Sequence, residues 1–258
     1  MPFIPDSSVD LVLTDPPYGA NVMYSELIDF FHVWNYKSSI ADLIGFDKPL
    51  SPKDNEIIVN SVAGKDFLYY QDGITSVLIE CHKKLKDNGY LVFSFHDKSL
   101  DSWKAILESI SAAGFNLTKC YPVQAETRTG AHTSNKNSIG LDIMLVCQKS
   151  NAEFESSDIQ DYDIKTAINY TKDFLINVLD RFQKVEAELT IPDLQNIAIA
   201  SFFTSIKGYC FYNENARNKL LMALQNLLDN IDEIASNYEI TDKRTGWWSE
   251  LYRKKWNV

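Results

Sequence analysis

An apolar run that ends on an acid and two prolines constrains this chain more than any other stretch. Val9-Asp10-Leu11-Val12-Leu13-Thr14 reads as a short strand, and Asp15-Pro16-Pro17-Tyr18 stops it. A short apolar run bounded by a breaker suits a strand buried on both faces, as in a parallel sheet. The two prolines remove two N–H donors and fix their own φ, so neither strand nor helix continues. Asp15 precedes a proline and is pushed out of the helical region. The pattern predicts a stiff loop at the carboxyl end of a central strand, where open α/β sheets place their ligands.

That loop suits one kind of chemistry. An exocyclic amino group on a base is a poor nucleophile, because its lone pair is delocalised into the ring. A carboxylate and a neighbouring carbonyl can each accept one of its two N–H bonds, fixing the nitrogen and favouring pyramidal geometry. Asp15 supplies the carboxylate, Pro16 the carbonyl, Pro17 the stiffness, and Tyr18 a flat face on which an extruded base can stack. The plain alternative is a rigid surface turn, and the apolar strand that leads into the motif argues against it.

The rest of the composition narrows the class. With 258 residues, 45% hydrophobic and 12% aromatic, the chain has enough apolar material for one large domain or a domain with an appendage. It holds no apolar run long enough to span a membrane, and its start does not read as a signal peptide. Cys81, Cys120, Cys147 and Cys210 lie far apart, which suits reduced core thiols in a cytoplasmic protein. His32, His82, His96 and His132 show no metal-ligand spacing, so no metal site is expected. A net charge of −10 predicts weak DNA binding by this chain alone, since phosphate neutralisation carries most non-specific affinity.

In chain order, Tyr24–Tyr36 carries Leu27, Phe30, Phe31 and Trp34 at helical spacing, an aromatic stripe read as core packing rather than a base-binding surface. Residues 37–65 read as an irregular excursion near the site. A helix from about Phe67 to Lys86 is expected to stop at Asn88-Gly89. Tyr90–Phe95 is a second buried strand, and its polar tip, His96 to Ser99, falls on the same edge as Asp15. A helix over Leu100–Ala113 follows, then strands over Asn116–Val123 and Leu141–Cys147. The polar loop between those strands predicts an antiparallel hairpin at the sheet edge. His96 and Lys98 at the strand tip, with Arg128, His132, Lys136 and Asn137 in that loop, are the candidate nucleic-acid contacts. A polar linker at 151–158 leads into expected helices over Tyr162–Glu188, Ile191–Lys207, Glu214–Asn237 and about Asp242–Trp256.

The motif in its strand context resembles the S-adenosylmethionine-dependent amino-methyltransferases of DNA, of the Asp-Pro-Pro-Tyr type. With Phe93-Ser94-Phe95-His96-Asp97-Lys98-Ser99, Ser102–Leu107 and the strand ending Leu145-Val146-Cys147, residues 3–149 are most similar to the large adenine-specific DNA methylases of prokaryotes. The resemblance implies an α/β fold with a partial Rossmann-like methyltransferase sheet (strands four to seven, the last hairpin antiparallel), and the helical period of the rest predicts that an all-helical C-terminal region follows it. Residues 1–150 would be the target-base half-domain and 151–258 the helical region. It implies S-adenosylmethionine as cofactor, DNA as partner, and catalytic roles for Asp15, Pro16, Pro17 and Tyr18. Asp15 would also border the cofactor. One part of the pattern is missing: a strand ending in a glycine-rich cofactor loop. None of the ten glycines lies two residues from another. The expectation is a fragment or subunit that needs a separate cofactor-binding half from a second chain or a missing segment.

The reaction expected first is methylation of N6 of adenine in DNA, with N4 of cytosine next and an RNA amino group as a further option. A non-catalytic methyltransferase-like scaffold that binds a partner enzyme is the alternative from another class.

Overall fold

Apolar runs at Leu11–Leu13, Tyr90–Phe93 and Ile143–Cys147 build the middle of the sheet in the computed structural model, which describes residues 3–38, 46, 48–124, 139–150, 161–184, 189–206 and 214–236. Strands β1 (Val9–Thr14), β2 (Leu85–Phe95), β3 (Phe115–Gln124) and β4 (Leu141–Lys149) lie in the order β1-β2-β4-β3. β1 runs parallel to β2, whereas β4 is inserted antiparallel between β2 and β3. The antiparallel hairpin at the sheet edge is therefore as the sequence predicts.

Helices α1 (Tyr24–Tyr36) and α2 (Phe67–Lys84) carry the crossover from β1 to β2, and α3 (Leu100–Ala112) connects β2 to β3. Four helices follow the sheet: α4 (Asp161–Lys184), α5 (Ile191–Ser205), α6 (Glu214–Asp229) and α7 (Ile231–Ser236). α5 is apolar around most of its circumference, the mark of a helix covered on all sides. It packs on β3, β4 and α4, and Ile197, Ala198 and Phe202 share one core with Leu91, Phe93, Trp103 and Leu145. The sheet and the helical region are thus held by one apolar interior.

Four expectations need correction. β1 is neither central nor buried on both faces: β2 pairs with one of its edges, and among the described residues no strand pairs with the other. Leu11 and Leu13 remain 52% and 66% exposed. The α1 stripe is not core either, because no described strand or helix packs closely on it; Leu27, Phe30, Phe31 and Trp34 are each more than half exposed. α2 stops at Lys84, and Asn88-Gly89 lies inside β2 instead of capping the helix. Residues 86–89 of β2 stand opposite Asp10 alone, where the register on β1 shifts, and a Cβ on Gly89 would meet the Asp10 carbonyl at 3.1 Å and the Leu85 side chain at 2.9 Å. The helix expected over 214–237 breaks at Asn230, whose side chain donates to the Asn226 carbonyl at 2.7 Å. The 151–158 linker and the aromatic segment after Asp242 lie outside the described residues.

No described helix is long and apolar enough to cross a membrane. Cys81, Cys120 and Cys147 are buried and unpaired, and burial raises all three thiols, Cys120 to about 12. At about pH 8 these three should react with Ellman's reagent only after denaturation. More than one fast thiol in the folded protein, with Cys210 outside the described residues, would contradict this placement.

Candidate active site

Parallel pairing sets the position of the motif. Thr14 is the last β1 residue and lies opposite Phe93, so the chain leaves the sheet beside Ser94. Asp15 is exposed, and one of its carboxylate oxygens, Oδ1, accepts two hydroxyl protons. Ser94 Oγ donates from 2.5 Å and Tyr18 Oη from 2.7 Å. Burial, joined by the charges of Asp15 and Asp142, holds the Tyr18 phenol well above its usual range, so it stays a donor and not a base.

The ring of Tyr18 stands edge-on to Phe95, at 5.3 Å between centroids, and to His96 at 4.8 Å. His96 is itself tied to β4, its Nδ1 bonded to Asp142 Oδ1 at 2.5 Å. Of the expected nucleic-acid contacts, His96 therefore sits beside Tyr18 and Lys98 is exposed at the strand tip. Arg128, His132, Lys136 and Asn137 lie outside the described residues. Among the described residues no cluster of histidines, cysteines and carboxylates could hold a metal ion.

The loop is anchored from below at Pro17 and Gly19. Tyr70, fully buried on α2, donates to the Pro17 carbonyl at 2.6 Å, and Val59 N–H donates to the Gly19 carbonyl at 2.9 Å. Among the described residues nothing donates to the Pro16 carbonyl. Gly19 has φ +48°, and a Cβ there would lie 2.5 Å from Ser102 Oγ and 2.9 Å from Asp97 Oδ2. Gly19→Ala should therefore cost about 2–4 kcal/mol in urea unfolding, combining left-handed strain with a steric shift. An unchanged midpoint would show that the loop moves aside without penalty.

A second set of residues, missed in the sequence reading, fixes the tip of β2. Asn196 of α5, 1% exposed, accepts at Oδ1 from the Asp97 N–H at 3.0 Å and from Trp103 Nε1 at 2.9 Å. Asp193, one turn earlier and fully buried, accepts from the Gly140 and Leu141 N–H groups at 2.7 and 3.1 Å, at the foot of β4. Its signal was legible: Thr190-Ile191-Pro192-Asp193 has capping-box spacing, and the box is present. Ser94 also had a signal, as the one hydroxyl in the apolar run Leu91–Phe95.

On the far side of the loop, α1 is pinned to the excursion at 48–66. Glu56 accepts from the Ser25 N–H at 2.8 Å and from its hydroxyl. Asp29 accepts from Lys53 and from Ser51, and these donors hold its carboxyl down to about 2. The buried Lys65 donates to the Lys53 and Glu56 carbonyls at 2.7 and 2.8 Å. The excursion is thus a hydrogen-bonded unit that carries α1 away from the sheet.

A family model described as DNA methylase, of the N6/N4 amino type, matches residues 9–184, from the first residue of β1 through α4. The chain belongs to the DNA methylase family. No curated protein and no solved structure matches it. Members of this DNA methylase family act on amino groups of DNA bases, and the match covers all four strands and the Asp15–Tyr18 loop.

Proposed function

We propose that this chain is the target-base half of a DNA amino-methyltransferase. It holds the exocyclic amino group, N6 of adenine first and N4 of cytosine next, while a separate half from another chain or segment binds S-adenosylmethionine. The observation that carries this reading is Asp15 at the carboxyl end of β1, with one carboxylate oxygen held by Ser94 and Tyr18. Its other oxygen and the Pro16 carbonyl are the two acceptors that an amino group needs.

The cofactor fits only in part. When bound, S-adenosylmethionine supplies an electrophilic methyl on a sulfonium, and Asp15 suits the rim of that reaction. A glycine turn for its carboxylate and an acid for its ribose normally close the rest of such a site. The sequence has no glycines two apart, so those partners come from elsewhere. The open edge of β1 supports this division, because a parallel strand placed there would pair with its free backbone groups, and a helix packed beside that strand would cover Leu11 and Leu13. The scaffold reading is favoured by one observation, the exposed apolar face of α1. Asp15, held in place by two donors, favours catalysis.

The test is transfer of labelled methyl from S-adenosylmethionine to duplex DNA, by the chain alone and with a partner half, with products digested to nucleosides. Label in N6-methyladenine only with the partner present supports the full reading; N4-methylcytosine moves the target base. Transfer by the chain alone would overturn the divided cofactor site. Failure of every combination would favour the scaffold.

A further inference from the structure

We infer that Ser94 is a positioning residue for Asp15: with Tyr18 it holds one carboxylate oxygen so that the other meets the amino group of the target base. This rests on the base-site reading and adds to it a residue outside the motif. A carboxylate on an exposed loop turns broadly about its last torsion, and its two oxygens then exchange places. Two donors on the same oxygen remove that exchange. They approach from different elements, Ser94 from β2 at 2.5 Å and Tyr18 from three residues further along the loop at 2.7 Å.

The two anchors are themselves fixed. Ser94 is 8% exposed and lies within the β2–β4 ladder opposite Met144, so its hydroxyl cannot follow a wandering loop. Tyr18 is held by Phe95 and by His96, which Asp142 secures. Each hydroxyl has one proton, and both are spent on Oδ1. Neither hydroxyl donates to a base in this arrangement. Oδ2 is the acceptor left, and the amino group is the donor that fits it. Ser94 acts through Asp15 and touches no substrate.

The experiment uses the full chain and two nucleosides, adenosine and purine riboside, which differ by the 6-amino group alone. Affinities are read by NMR titration, and the quantity of interest is their ratio. For the unaltered protein the ratio should favour adenosine by about tenfold, the size expected for a hydrogen bond to a charged acceptor. Ser94→Ala should bring the ratio close to one while leaving purine riboside affinity unchanged, and Ser94→Thr, which keeps a hydroxyl, should restore it. A role in packing alone would lower both affinities together and leave the ratio intact; that result overturns the inference. A ratio that survives Ser94→Ala does the same, and leaves the base site standing. A ratio of one in the unaltered protein, or no binding of either nucleoside, overturns the base-site reading itself.

Discussion

Asp15→Ala should lower kcat for methyl transfer about 100-fold or more in an active complex, with a melting curve close to that of the unaltered chain. The two halves of this expectation come from different facts. The side chain is exposed and contributes nothing to the core, so its removal leaves no cavity. Ser94 and Tyr18 lose an acceptor, but solvent reaches the vacated position. Catalysis loses the acceptor that fixes one N–H of the amino group, an interaction formed most fully in the reacting geometry. The deficit should therefore fall on kcat more than on KM, read from initial rates across DNA concentrations. A variant retaining more than about a tenth of the turnover would remove Asp15 from the role assigned to it.

The largest structural effect is expected from Asp193→Ala. Asp193 accepts from the Thr190 N–H and hydroxyl through Oδ2, at 2.9 and 2.8 Å, and from Gly140 and Leu141 through Oδ1. Alanine would end the reciprocal cap of α5, which typically costs about 0.5–2 kcal/mol. It would also strand buried donors, at about 1–3 kcal/mol more. We expect a loss of about 1.5–5 kcal/mol in denaturant unfolding, the sum of those two effects. Asp193→Asn keeps an acceptor for one side only and should fall between. A loss below about 0.5 kcal/mol, the size of an ordinary surface change, would mean that water replaces these contacts.

The parts of the fold legible in the sequence were those set by local chemistry. Two prolines after an apolar run announce a loop at a strand end whatever surrounds them. Thr190 to Asp193 announce a helix start because the cap closes within four residues. The parts that were not legible depend on partners distant in sequence. Periodicity showed that one face of α1 is apolar and could not show that this chain leaves it uncovered. Leu11 and Leu13 look alike in a central strand and in an edge strand, because residue type does not report which neighbour is present. Asn88-Gly89 was misread for the same reason: it lies in the stretch of β2 where the register on β1 shifts, not at a helix end. At the site, Asp15 and Tyr18 were found through the motif. The anchor from Ser94, 79 positions away, required the register of β1 on β2, which no local pattern encodes.

The bond between the Asp97 N–H and Asn196 spans 99 positions of sequence. Ribosomes add about 5–20 residues per second, so roughly 5–20 seconds separate the emergence of these two groups. During that interval β1, β2 and the motif loop are all outside the ribosome while the strand tip beside them lacks its clamp. The tip of β2 is accordingly clamped well after the sheet residues that carry it have been made. A nascent chain halted between β4 and α5 would display the whole motif on an unfinished frame, so the clamp at Asp97 reports on synthesis having passed residue 196.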